Sequence, residues 1–575
     1  MKGQANRLSV LVLLSWACGQ VLVGGVTDTT AQICIWSPEA RLSLAGMRET
    51  LLKAAELPIC YAAGGLQPGT QYAYEVNLPS GQKVLGTFHT PPVSPLRVVA
   101  LSCDLLDPRL SDEKALKAFA ASLKPHLILH LGDWGYPDTM EKNFPPSTER
   151  FFPYRLENLQ KLYEKRYYDP LAYVLRVQSA WAYLYDDHDY VADNTGRDYR
   201  AQYRTLSLPI GDYSFAPALR ENAMQAYKQY FPHYALEMPE EALFQRFRWG
   251  DVEFFFVDNR SARTGTMKVF ELGELGRYYF RPKPEISILG RRQMEALKEA
   301  LRTSSARWKV ILSGVTYNRN LQLFIHEALK LPAQTLKLAF GLYKVPAILI
   351  AGFIGDTWAG YPMDQDSLLA WCWRHQIRGV VWVSGDTHVA TLEDGTMGGF
   401  PELMAGGAGK TEKRSYQLAK MLGISIFNVG GQGITKKVFS TALGYMEFRG
   451  DTLWLLSLTK RGDTLARLLL TADVLPLPPG LWKRLERPNI GLTFFVEGVR
   501  AREIFFRWGL PNRMSGEVAF RLYNAQGDLV WESPWKPATY WKQQKRLSLP
   551  ESLPAGWYFL RAEQAGAYFG RRLRL

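Results

Sequence analysis

Beyond its first seventeen residues the chain has no stretch of about 20 uninterrupted apolar residues, the length a helix needs to cross a bilayer, which argues against a later helical span. The nearest approach, Leu336 to Ile354, is broken by Lys337, Lys344 and Pro346 and reads as core or as an active-site lid. There is also no block of Lys and Arg. The 69 basic residues exceed the 55 acidic ones and give a net charge of +14, but the surplus is spread along the chain. Such a surplus suits an anionic substrate or membrane headgroups. No zinc-finger, helix-turn-helix or RNA-binding signature accompanies it, so no specific nucleic-acid binding is expected. Internal repeats and low-complexity tracts are absent as well. Cysteine is scarce, at five residues. Cys34 and Cys60 either pair in an oxidising compartment or remain two buried thiols. Cys372, in LLAWCWRHQI, packs on a helix.

The first seventeen residues read as an export signal. Lys2 and Arg7 precede an apolar run from Leu8 to Trp16, and small Ala17 lies before Cys18. Ser15 and Ala17 fit ordinary signal-peptidase cleavage; lipid attachment at Cys18 is the alternative. No twin Arg is present. The expected location is extracytoplasmic: periplasm, cell surface or secreted, with a lipid anchor as one version. Apolar content of 47% and charged content of 22% are those of a globular protein, and 575 residues predict two to four domains.

Polar residues gather where apolar runs stop. Leu127, Ile128, Leu129 and Leu131 form a short apolar run; Gly132 frees a turn, and Asp133 and Tyr136 come next. Arg97 to Leu101 runs into Ser102, Cys103 and Asp104, and Trp181 to Tyr185 runs into Asp186, Asp187, His188 and Asp189. Lys309 to Leu312 leads to Ser313 and Gly314. Gly379 to Val383 runs into Ser384, Gly385, Asp386, Thr387 and His388. Open α/β sheets collect ligands at the carboxyl ends of their strands. One Gly-Asp alone would read as a cap; five such endings predict a polar cluster at one sheet edge, and the residue types predict a metal site.

Between these blocks the pattern is mixed. Residues 19–92 predict a small β-sandwich, in which Leu66-x-Pro68-Gly69-Thr70-x-Tyr72-x-Tyr74 is similar to the tyrosine-corner region of fibronectin type III domains. Pro91, Pro92 and Pro95 then make a stiff linker. From 96 to 472 strands alternate with helices, among them Asp112 to Leu123, Pro217 to Phe231 and Leu289 to Leu301, and Phe244 to Val257 predicts a hairpin turning at Gly250-Asp251. Residues 478–575 come after a Pro-rich boundary and predict a second β-sandwich, removable without loss of activity because it carries no block of the polar cluster.

Taken together, Ser102-Cys103, Gly132-Asp133-x-x-Tyr136, Asp186-Asp187-His188-Asp189 with Asn194, Asp258 to Arg263, and Ser384-Gly385-Asp386-Thr387-His388 resemble the PhoD-like alkaline phosphatases and phosphodiesterases of the calcineurin-like metallophosphoesterase superfamily. Leu289-Gly-Arg-Arg-Gln293 and Trp358-Ala-Gly-Tyr-Pro362 extend the resemblance. It implies an α/β fold: a central metallophosphoesterase-type β-sandwich flanked by helices, between the N-terminal and C-terminal β-sandwiches. It also implies a binuclear site. Cys103, Asp133, Tyr136 and His388 would hold a ferric ion, to which thiolate and phenolate are suited. Asp133 would bridge to calcium or another hard divalent cation on Asp187 and Asp386, with Asn194 nearby. Leu101 stands where Gly is commoner before Ser-Cys, and Tyr185 where Trp is usual; both leave the ligand set intact.

The chemistry implied is hydrolysis of phosphate mono- or diesters by a metal-activated water. His188 would protonate the leaving alkoxide. Arg260, and Arg263 unless it only forms a salt bridge, would bind phosphate oxygens as forked donors. A monomer is expected. Two rivals remain: a non-catalytic cell-surface binding protein that retains the metal site, and a dedicated phospholipase or nuclease acting on diesters alone.

Overall fold

The computed structural model describes residues 20–107, 109–136, 155–190, 216–273, 278–330, 351–352, 354–410, 427–432, 441–481, 493–500, 502–509, 518–535, 543–564 and 567–575. The export segment, Cys18, Asn194 and most of Leu336 to Ile354 lie outside the described residues.

Two large sheets carry the central part. A nine-stranded sheet runs Thr464–Thr471, Thr452–Thr459, Ala442–Arg449, Leu96–Leu101, Leu127–His130, Ala180–Tyr183, Val21–Gly24, Thr30–Ile35, Ile59–Gly64. An eight-stranded sheet runs Leu236–Met238, Ala242–Trp249, Val252–Val257, Trp308–Ser313, Val380–Ser384, Pro401–Met404, Thr391–Asp394, Gly430–Gly431. The strands that end in polar residues are parallel neighbours: Leu101 pairs with His130 and Tyr183 with His130 in the first sheet, Val257 with Ser313 and Ser313 with Ser384 in the second. Parallel pairing at matched register brings their carboxyl ends to a common edge. These strands are near-continuous apolar runs because both faces are covered.

Alternate residues decide which layer they join. Val310, Leu312, Val381 and Val383 share one buried cluster with Val98, Ala100, Leu127 and Leu129, which lie on one face of the first sheet. Ile311, Val380 and Trp382 point the other way, onto Leu297 and Leu301 of the helix Gly290–Thr303 and Leu368 and Cys372 of Pro362–Arg374. Met294, Leu297 and Leu301 recur at helical spacing on the buried face of the first of these helices. The hairpin is present as Ala242–Trp249 and Val252–Val257, and Cys372 is buried on its helix.

The stretch read as an N-terminal sandwich is divided between two sheets. Four strands, Glu39–Leu44, Thr50–Lys53, Gln71–Asn77 and Lys83–His89, form a sheet of their own, while Val21–Gly24 pairs parallel to Ala180–Tyr183 and carries two more strands into the nine-stranded sheet. Within the small sheet the Tyr72 hydroxyl accepts a hydrogen bond from the Gln67 N–H at 2.7 Å, the bond back to nearby backbone that the motif predicts. Cys34 and Cys60 are direct partners on adjacent antiparallel strands and form a disulfide.

The C-terminal strands form a three-stranded and a four-stranded sheet around Phe520, Leu522, Tyr558, Leu560 and Leu573, joined by Met397 from the central part. Buried Asp394 ties the two together. Its carboxylate accepts from the N–H of Arg572 at 2.9 Å, from the N–H of Thr396 at 3.0 Å and from the amide of Asn428 at 2.7 Å. Removing an acceptor leaves several buried donors unpaired, at about 1–3 kcal/mol each. Asp394→Ala is therefore expected to lower the denaturation midpoint, by about 3 kcal/mol in stability, with kcat retained below the transition. Denaturant unfolding beside steady-state kinetics checks this; an unchanged midpoint would show that the junction contributes nothing.

Candidate active site

The strand ends place their side chains through backbone that L-residues seldom adopt. Cys103, Asp133, Tyr136, Asp386 and His388 all have positive φ, between 43° and 62°. Such conformations cost of order 1–3 kcal/mol each and persist where the surrounding fold over-determines them, commonly at functional sites. Close approach of the chains leaves no room for side chains beside them. A Cβ on Gly132 would lie 2.3 Å from that of Asp186, and one on Gly314 would lie 2.6 Å from the Asp186 carboxylate.

Two groups of donors meet at Asp133. The Cys103 thiol lies 3.6 Å from Asp133 Oδ2, the Tyr136 hydroxyl donates to that same oxygen at 3.0 Å, and His388 Nε2 is 3.3 Å from the Tyr136 hydroxyl. On the other side, carboxylate oxygens of Asp133, Asp186, Asp187 and Asp386 all lie within 4.8 Å of one another. The His188 N–H reaches Asp187 Oδ1 at 2.9 Å and Asp133 Oδ1 at 3.2 Å, and its ring sits 4.3 Å from that of Tyr136. The structure thus brings Cys103, Asp133, Tyr136, Asp187, His188, Asp386 and His388 together; Asn194 lies outside the described residues.

Electrostatics suit the cluster to holding a cation. Burial, then Asp187, pushes the Asp133 carboxyl well above the usual range, and burial drives Asp186 up despite Arg260. Burial and then Asp133 raise the Tyr136 phenol likewise. Four carboxylates in one buried space repel one another, and a multivalent cation relieves that repulsion. One thiol, one phenol, one imidazole and a shared carboxylate beside an all-oxygen group fit two unlike metal ions.

Arg260 enters the site through its carboxylates. Fully buried, it bonds Asp186 through Nε, reaches Asp356 through Nη1 at 3.0 Å and lies 3.8 Å from Asp187. Arg263 forms the salt bridge foreseen as its alternative role, to Asp356 at 2.7 Å, and donates to the Tyr361 hydroxyl. Asp356 was not among the expected residues. Burial raises it to about 6 against both guanidinium groups. Its only sequence signal was its position two residues before Trp358 in the Trp-Ala-Gly-Tyr-Pro block.

A second layer holds the turns. Asp189 accepts from the backbone N–H of Trp134 and of Asp186 and from the Tyr183 hydroxyl, with Arg166 at 3.2 Å. Behind Cys103, buried Lys117 joins Asp104, Glu113 and Asp169 at 2.7, 2.8 and 2.7 Å. Burial and the nearby Asp104 push the Glu113 carboxyl well up, against the pull of Lys117. No sequence spacing announces this cluster, since Asp104 and Asp169 are far apart in the chain.

No curated protein matches the chain in sequence comparison. A solved structure described as the structure of PhoD matches with a TM-score of 0.53 at 15% identity, covering 79% of this chain and 89% of that one, and shows a shared fold. A glycosyl hydrolase family 2 member from Bacteroides cellulosilyticus, at 8% identity with 97% of this chain and 78% of that one covered, reaches a TM-score of only 0.21, too low to carry an argument. The family model of the PhoD-like phosphatases matches residues 99–417, a span that begins before Cys103 and ends beyond His388. With that match across more than half of its length, the chain belongs to the PhoD-like phosphatases, which are phosphoric ester hydrolases.

Proposed function

We propose that the chain is an exported, metal-dependent phosphohydrolase that cleaves phosphate mono- or diesters at a binuclear centre. The observation that carries this reading is the sharing of Asp133 by two donor groups of different chemistry, Cys103–Asp133–Tyr136–His388 and Asp133–Asp186–Asp187–Asp386. The first group suits ferric iron; the second, all carboxylate, suits calcium or another hard divalent cation. Cations held by these residues would supply polarisation of the phosphoryl oxygens and a water-derived nucleophile at neutral pH.

The chain's own residues do the rest. Arg260 holds Asp186 and Asp187 in place from the buried side. His188, half-buried, held by its backbone N–H to Asp133 and Asp187 and with its ring beside that of Tyr136, is the residue that would deliver a proton to the leaving oxygen. The Cys34–Cys60 disulfide supports an oxidising compartment, in keeping with the export signal read at residues 1–17. A fibronectin III-like region before the catalytic part and a separate C-terminal sandwich belong to the same reading, supported by the Tyr72 bond and the second set of sheets.

Metal analysis tests the proposal. The isolated protein is expected to contain iron and one hard divalent metal, and to show a visible charge-transfer band from thiolate or phenolate ligation that Cys103→Ala alters. Zinc alone, with a metal content indifferent to Cys103→Ala, would remove the assignment.

A further inference from the structure

Beyond His388 the strand Pro401–Met404 ends in Ala405-Gly-Gly-Ala-Gly-Lys410, a turn fastened to both sheets. The Ala405 N–H donates to the Ser384 carbonyl at 2.8 Å, that of Ala408 to Ser102 at 2.8 Å and that of Gly409 to Cys103 at 3.0 Å. Its glycines are required by contact. A Cβ on Gly407 would lie 2.5 Å from the Lys410 carbonyl oxygen, and one on Gly409 would lie 2.7 Å from Glu113 Oε2 and from the Leu105 nitrogen. The turn is thus packed directly on the Cys103 backbone, and it delivers the half-buried Lys410 with Nζ 4.4 Å from the centre of the Tyr136 ring. Among the described residues no carboxylate forms an ion pair with Lys410.

Resting on the phosphohydrolase reading, we propose that Lys410 anchors the substrate's phosphoryl oxygens, and that its charge favours dianionic monoesters over monoanionic diesters. The Tyr136 hydroxyl beneath it bonds Asp133 and approaches His388, so an anion held at the metal donor set lies beside this ammonium. A ring face is a weak counterpart for a lysine, whereas a phosphoryl oxygen accepts a charge-assisted hydrogen bond from it. Lysine serves here as a mobile point charge with three donors rather than as a fork. Attraction to a point charge scales with substrate charge, so the second negative charge of a monoester is what Lys410 distinguishes. Among the described residues Arg260 and Arg263 are occupied by Asp186, Asp356 and Tyr361, whereas half-buried Lys410 approaches the cluster beside Tyr136.

The test uses the full-length, metal-loaded protein, with Lys410→Met and Lys410→Arg, nitrophenyl phosphate, bis(nitrophenyl) phosphate and inorganic phosphate. Loss of one charge-assisted hydrogen bond is expected to raise the monoester KM and the phosphate Kd of Lys410→Met about 10-fold. The diester KM and both kcat values should change by smaller factors, metal content should hold, and Lys410→Arg should recover most of the phosphate affinity. Lys410→Gln replaces the methionine variant should that fail to fold. Unchanged phosphate affinity, or equal KM increases for both esters, would overturn the proposal. Loss of metal would overturn it too, making Lys410 a support for Tyr136. Wild-type protein that binds phosphate through Lys410 but turns over neither ester would leave the anchor standing and overturn the hydrolase reading instead.

Discussion

Asp133→Asn should lower kcat/KM by at least about 10³-fold, equivalent to about 4 kcal/mol of transition-state stabilisation, and should strip both metal sites together. The reason is geometric: Asp133 is the one carboxylate that belongs to both donor groups, 3.6 Å from the Cys103 sulfur on one side and within 4.8 Å of Asp186, Asp187 and Asp386 on the other. The amide keeps shape and volume but removes the negative charge. Stability should move in opposite directions in the two states of the protein. Without metal, four crowded carboxylates repel, so replacing one of them with an amide should raise Tm. With metal supplied, the wild type gains stability by binding and the variant does not, so the order reverses. Paired melting curves with and without chelator, beside metal analysis, read both effects. A variant that keeps both metals would take Asp133 out of the bridging position; equal Tm values without metal would show that crowding is already compensated.

The residues of this cluster were legible in the sequence because each sits where an apolar run stops, a signal that survives without knowing how the runs pair. Leu101, Leu131 and Val383 mark such ends, and Cys103, Asp133, Asp386 and His388 lie within a few residues of them. Pairing itself was not legible. The strand Val21–Gly24 looked like part of a separate sandwich, since nothing in its four residues specifies a parallel partner at Trp181 far along the chain. Cys34 and Cys60 stood open between disulfide and free thiols until the register of two antiparallel strands set them opposite each other. The same holds for charge partners. Arg260 and Arg263 were visible as donors, but Asp356, which engages both, lies 96 and 93 residues away, and only the fold determines that these guanidinium groups face carboxylates. Lys410 escaped notice because a lysine after a glycine-rich stretch resembles many surface turns; its meaning comes from the hydrogen bonds that fasten the turn to Ser102 and Cys103.

His188→Ala should damage hydrolysis of alkyl phosphate esters by about 10² to 10⁴-fold while leaving nitrophenyl esters far less affected. A general acid matters in proportion to the basicity of the departing oxygen: an alkoxide must be protonated as it leaves, whereas nitrophenolate departs as the anion. The geometry suits the role. The backbone N–H of His188 is held by both Asp133 and Asp187, which fixes where the ring starts; the ring lies tilted 4.3 Å from that of Tyr136, and His188 is half-buried while Asp187 and Asp189 are buried. A competing role is also built into that geometry, because a nitrogen of His188 lies within 4.8 Å of carboxylate oxygens of Asp133 and Asp187 and could complete a metal shell. The two roles separate on one variant. An acid leaves the metal complement whole and splits the substrates by leaving-group pKa; a ligand loses one metal equivalent and slows both substrates alike. Equal losses with both metals present would remove His188 from either role and reduce it to a support for Tyr136.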